Sequence, residues 1–210
     1  GCRKGQRRVL TALPAPPSAG APVSWRAHGP SPVPLQQADG DDAPADAMST
    51  PNWFLALPLP PRARWQLAAV SAPAPLRRFV AEDLHCTLAF LGACGESRAV
   101  AAWQAVATLQ AGAISVRAGG WRALGSPRQP SAYGLTFVEG HLELCALLRQ
   151  WEPLAREAAG LAPCSRPPLP HVTLLRPRRR DAAAAIALMR QWMAQAPLPA
   201  AEAVLQIGRA

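Results

Sequence analysis

The spacing of apolar and polar residues changes several times along this chain, and each change marks an element. WFLAL, 53–57, is an unbroken apolar run closed by the prolines of PLPP, and reads as a short buried strand. RARWQLAAV, 62–70, has helical spacing, and RRFVAEDL then leads into a strand over 84–91 that Gly92 ends. SRAVAAWQAVATLQ, 97–110, predicts a helix capped by Ser97, with Val100, Trp103, Val106 and Ala107 on one face. AISVRA, 113–118, and SAYGLTFV, 131–138, read as strands around a loop rich in Gly, Pro and Arg. A helix over 141–159 buries Leu144, Leu147, Leu148, Trp151 and Leu154. A proline-rich loop, 162–168, delivers a strand over 169–175, followed by a helix over about 181–195 and a last strand, AEAVLQI, 201–207.

The second half repeats the first. LHCTLAFLG, 84–92, and PHVTLLRP, 170–177, each place His-x-Thr inside a strand, with the histidines at 85 and 171, a separation of 86. That spacing suggests two similar lobes, each contributing one motif strand.

Side chains alternate across a strand, so His85 and Thr87 share one face while Leu84, Cys86, Leu88 and Phe90 are expected to face the core. Likewise His171 and Thr173 share a face opposite Val172 and Leu174. A pseudo-twofold would bring two imidazoles and two hydroxyls together across a cleft. Two opposed histidines suit in-line displacement at phosphorus: one, neutral, takes a proton from water, and the other, protonated, gives one to the leaving oxygen. Thr87 and Thr173 can donate to the nonbridging oxygens, where charge builds up, and Arg176, just past the second strand's expected end, does the same if the loop geometry turns it inward. A lone His-x-Thr is ordinarily a core histidine with a partner. Of the four histidines, however, two hold equivalent positions; His28 lies in the N-terminal tail and His141 opens a helix. A metal site is a poor rival, because the set lacks the carboxylates or thiolates that complete one.

Composition changes this picture in two places. Residues 1–47 are rich in Pro, Gly and Ala without sustained periodicity and are expected to be disordered. We read them as an extension, outside the native protein if translation starts at Met48; the rival is a flexible tail that binds a partner. Residues 48–210 form the bilobal domain. The tail has five basic and four acidic residues, so nearly all of the net charge of +9 belongs to the folded part. That charge is arginine, Lys4 being the one lysine, and arginine suits forked contacts to phosphate. The basic turn Arg178, Arg179, Arg180 is read either as a solvated turn or as a guide for RNA phosphates. Tyr133, Phe137 and Trp121 are candidates to stack on a base, with core packing the leading alternative for each. Five cysteines with no CxxC pair, and opening residues with no apolar h-region, point to a reducing cytoplasm. No apolar run is long enough to cross a membrane. With no heptad or spare apolar helix, a monomer is expected.

The paired motifs resemble those of the 2H phosphoesterases, and most closely the RNA 2′,3′-cyclic phosphodiesterases, also called the 2′-5′ RNA ligase family. The resemblance runs from about Met48 to the C-terminus. WFLALPLPP is similar to that family's opening strand and turn. EDLH and FLG flank the first motif as they do there, and the proline before His171 and the arginine three after Thr173 match the second. The resemblance implies an α+β fold class: two pseudo-symmetric lobes, each an antiparallel sheet with helices packed outside, around a central cleft. It implies hydrolysis of a terminal RNA 2′,3′-cyclic phosphate to a 2′-phosphomonoester without metal or other cofactor, with reversible 2′-5′ ligation open. It implies His85 and His171 as the acid/base pair and Thr87 and Thr173 as phosphate ligands. Phosphodiesterase action on a small cyclic nucleotide, or a noncatalytic RNA-binding module, are the alternatives. The segment GGWRALGSPRQPSAYGLTFVEG departs from the family pattern, which puts the choice of RNA end in doubt more than the chemistry.

Overall fold

The structure, a computed structural model, describes residues 7–11, 51–73, 76–109, 112–177 and 183–205. Its strands are β1 (Arg7–Thr11), β2 (Asn52–Pro58), β3 (Leu76–Arg78), β4 (His85–Gly92), β5 (Ile114–Gly125), β6 (Pro130–Glu139), β7 (His171–Pro177) and β8 (Ala203–Leu205). Its α-helices are α1 (Glu96–Ala107), α2 (His141–Ala158) and α3 (Ala183–Gln195). The strands run in the order β1-β2-β4-β7-β6-β5-β8, with β3 on β7. Every pairing is antiparallel except β1 with β2. The α+β class is as expected.

The two halves meet at β4 and β7, which pair through Cys86 and Val172. Outward from that junction the halves match: β2 lies beside β4 and β6 beside β7 in equivalent registers, Ala56 opposite Thr87 and Gly134 opposite Thr173. The element before each motif strand crosses to the other half. The turn carrying Trp65 packs on β7, and α2 packs on β4. One apolar core results, in which Leu55, Leu57, Cys86, Val172 and Leu135 of the sheet meet Ala99, Ala102, Leu144, Leu148 and Trp151 of α1 and α2. Trp65 is fully buried against Phe137, its indole N–H donating to the carbonyl of Ala201 at 3.0 Å.

Several local expectations change. Residues 62–70 form two 3-10 turns, Pro61–Ala63 and Trp65–Ala69, because Arg64 between them takes a left-handed conformation (φ 55°) that an α-helix cannot pass through. The cap of α1 is Gly95, not Ser97, and its buried residues are Ala99, Ala102 and Val106, with Trp103 half-buried. In α2, Leu154 is exposed and Ala155 takes its place in the core. β5 extends through WRALG, part of what reads as a loop. Two strands went unforeseen. β3 lies within the lead-in to β4. β1, RRVLT, falls in the segment expected to be disordered, and satisfies backbone groups along the edge of β2. A five-residue or three-residue strand is too short to show a period. Among the described residues Cys86, Cys94, Cys145 and Cys164 are free thiols, and no helix is long and apolar enough to cross a membrane.

Candidate active site

The four motif residues come together on one face of the β4–β7 junction. Cys86 and Val172, both fully buried, face the core. The antiparallel register about that pair sets His85 beside Thr173 and Thr87 beside His171, on the opposite face and half-buried. Each histidine is therefore flanked by the threonine of the other strand. Burial pushes the Cys86 thiol up to about 12, which rules it out as a nucleophile at neutral pH.

Both imidazoles are held in the same way. His85 Nδ1 lies 2.7 Å from the carbonyl oxygen of Asp83, and His171 Nδ1 lies 2.7 Å from that of Leu169. A carbonyl only accepts, so each Nδ1–H donates and each Nε2 is left to exchange a proton. His85 also stacks on Phe54, ring centroids 4.8 Å apart and planes 25° from parallel. Desolvation pulls the pKa of both rings below the ordinary 6.5, opposed by the carbonyl bonds. The positive charge of Arg176 adds to the lowering at both; His171 adds to it at His85, and Arg122 at His171.

A bulge follows each threonine. On β4, Leu55 opposes Ala89 and Ala56 opposes Thr87, so Leu88 is an extra residue. On β7, Tyr133 opposes Leu175 and Gly134 opposes Thr173, so Leu174 is the extra one. Leu88 and Ala89 are both buried, as are Leu174 and Leu175. The alternation therefore flips one step later. Phe90, expected in the core, is instead 46% exposed, on the face of His85 and Thr87. Arg176 moves onto the face of His171 and Thr173 by the same geometry, as a member of β7 rather than of a following loop. Phe90 and Arg176 are thus equivalent positions of the two halves, five residues after each histidine.

Neighbouring strands complete the site. Gly134 lets β6 approach the bulge closely, since a Cβ there would meet the Val172 carbonyl oxygen at 2.4 Å. Arg122, paired with Gly134 across β5 and β6, is exposed on the same row as Thr173, with no side chain between. Neither Arg122 nor Phe90 was singled out from the sequence for this face. The signal available was the doubled apolar pair after each threonine, Leu88-Ala89 and Leu174-Leu175.

Two of the base-stacking candidates are corrected. Tyr133 is fully buried, and Phe137 is buried against Trp65, because both alternate onto the core face of β6. Trp121 is half-buried, edge-on to Trp192 at 4.8 Å, with its indole N–H donating to the Pro197 carbonyl. Arg178, Arg179 and Arg180 lie outside the described residues. Among the described residues no cluster of three or more His, Cys, Asp or Glu side chains is placed to hold a metal ion.

No family model and no curated protein matches the chain in sequence. Solved structures do match in fold. LigT of E. coli in complex with 3′-AMP is 22% identical, over 72% of this chain and 82% of that one, with a TM-score of 0.54. The LigT complex with NADP+ gives 22% identity, 72% and 81% coverage and a TM-score of 0.52. The complex with ATP gives 21%, 72%, 81% and 0.51. The chain shares the LigT fold, which is the fold expected from the paired motifs.

Proposed function

We propose that the chain is a 2H phosphoesterase that hydrolyses a terminal RNA 2′,3′-cyclic phosphate to a 2′-phosphomonoester, without a metal, by paired-histidine acid/base catalysis. The observation that carries the reading is the pair of identically held imidazoles, each with Nδ1–H committed to a backbone carbonyl, beside two threonine hydroxyls. Binding alone has no use for two proton-transfer groups oriented alike.

The differences between the halves orient the substrate. Phe90 offers an exposed aromatic face for a base on the β4 side. Arg176 and Arg122 supply positive charge on the β7 side, where nonbridging oxygens gather charge. We assign the leaving O3′ to His85 and the attacking water to His171. His171, neutral, takes the water proton as the oxygen attacks phosphorus. The P–O3′ bond breaks and His85, protonated, delivers its proton to O3′. The product keeps the phosphate on O2′. Run backwards with an RNA 5′-hydroxyl in place of water, the same steps give a 2′-5′ linkage. The 3′-AMP, ATP and NADP+ held by the LigT structures each contain a nucleoside and phosphate, as does an RNA end.

The deciding experiment mixes the protein with a short RNA ending in a 2′,3′-cyclic phosphate, in EDTA, beside a His171→Ala variant, and identifies the end formed. A 2′-phosphate from the parent alone is the expected result. A 3′-phosphate, or activity that returns only with a divalent metal, overturns the mechanism.

A further inference from the structure

Two arginines oppose each other just beyond the cleft. Arg77 of β3 pairs with Arg176 of β7 across an antiparallel ladder, so both side chains lie on one face of the sheet. That is the face of His171 and Thr173, since the bulge at Leu174 has already turned Arg176 onto it. Phe79, two residues on from Arg77, sits beneath them. The Arg77 guanidinium carbon lies 5.2 Å from the ring centroid and that of Arg176 lies 5.9 Å from it. Phe79 is itself fixed by its backbone N–H, which donates to the carbonyl of the bulged Leu174 at 2.9 Å.

The next residue shows what a structural arginine looks like here. Arg78 points the other way and donates to the carbonyls of Ala69, Val70 and Ala72. Arg77 is exposed and rests on Phe79. One strand spacing, about 4.8 Å, separates Arg77 from Arg176 across the ladder.

We propose that Arg77, seated on Phe79 beside Arg176, is a second phosphate subsite that takes the phosphodiester immediately 5′ of the reacting nucleotide, so the protein selects a single-stranded oligonucleotide over a mononucleotide. This rests on the nucleotide-end reading of the cleft. The reacting phosphate sits at Thr87 and Thr173, Arg176 borders it, and the next phosphate of the strand meets the forked donors of Arg77. A mononucleotide has nothing to place there.

The test is calorimetric titration of the full chain with a ribonucleoside 2′-monophosphate and with a diribonucleotide ending in the same 2′-phosphate. A charge-assisted contact predicts that the dinucleotide binds about tenfold tighter or more. In Arg77→Ala the ratio falls to about one. Arg77→Lys, which keeps the charge and loses the fork, falls between. The log–log salt slope for the dinucleotide drops by about 1 in Arg77→Ala. A parent ratio near one overturns the subsite, and so does a ratio that survives Arg77→Ala. Turnover of a mononucleoside 2′,3′-cyclic phosphate by the parent is followed in parallel. The same is done with a diribonucleotide ending in a 2′,3′-cyclic phosphate, and absence of turnover on both with the binding ratio intact overturns the reaction and leaves the subsite standing.

Discussion

β4 and β7 share a backbone and differ in what they display. Both run His-x-Thr, both bulge at the following leucine, both bury the next residue, and both then return a side chain to the cleft. At that position β4 presents Phe90 and β7 presents Arg176. Around them, Phe54 stacks on His85, while Gly134 leaves the row from Arg122 to Thr173 open. In the proposed reaction symmetry supplies two equivalent proton carriers, and its breaking supplies a direction. A site with two identical halves would bind a nucleotide either way round, and no histidine would be committed to one role.

The sharpest way to break that comparison is to separate the histidines. His85→Ala and His171→Ala are each expected to cut turnover at least ~10²-fold without loss of fold, measured by steady-state kinetics and thermal melting. A substrate with an aryloxide leaving group, which departs without a proton, restores His85→Ala and leaves His171→Ala slow. Equal rescue of both would mean that the differences between the halves do not assign acid and base.

Next comes the pair that breaks the symmetry. Phe90→Ala is expected to raise KM for a nucleotide substrate by the ~1–3 kcal/mol of a stacked base, with kcat little changed. Arg176→Gln is expected to lower kcat as well, because the proposed reaction sets its charge against the oxygens that gain charge in the transition state. If Phe90→Ala lowers kcat and leaves KM alone, the base does not lie on β4.

The scaffold can be probed at its equivalent positions. Gly134→Ala forces a Cβ onto the Val172 carbonyl oxygen at 2.4 Å and is expected to cost ~1–3 kcal/mol, read as a fall in thermal midpoint. Ala56 already carries a Cβ at the matching place on β2, so Ala56→Gly tests only the loss of a methyl group and is the milder change.

The smallest effect is in pH. Both imidazoles have pKa values lowered from 6.5, chiefly by desolvation, so the bell in kcat/KM belongs to the pair and is centred on the acid side of 6.5. Arg176→Gln removes a positive charge felt by both rings and moves the profile toward higher pH. For stability the sign is as follows. A lowered folded pKa means the unfolded chain binds more protons below 6.5, so stability present above that value is lost as the pH falls through the folded values. Urea midpoints at pH 7 and pH 5 check this.

Much of the site was legible before any coordinates. The period-2 alternation in HCT and HVT places His and Thr on one face and Cys86 and Val172 on the other, and the structure places them so. The repeat of that pattern pointed to two halves. The alternation misleads past the threonines, because a bulge adds one residue without any Gly or Pro to mark it, and Phe90 then emerges where a buried residue was expected. For Tyr133 and Phe137 the core-packing alternative holds, since both share a strand face with the buried Leu135.

The amino-acid order by itself determined which residues share a face, since periodicity is local and His-x-Thr on an extended chain can only project together. Tertiary structure alone decided what stands across from them. The Cys86–Val172 pairing sets each histidine beside the other strand's threonine. The paired bulges bring out Phe90 and Arg176, and β3, three residues long, lays Arg77 against Arg176. Register between strands distant in sequence depends on how two packed faces fit, and that fit exists only once the core has closed.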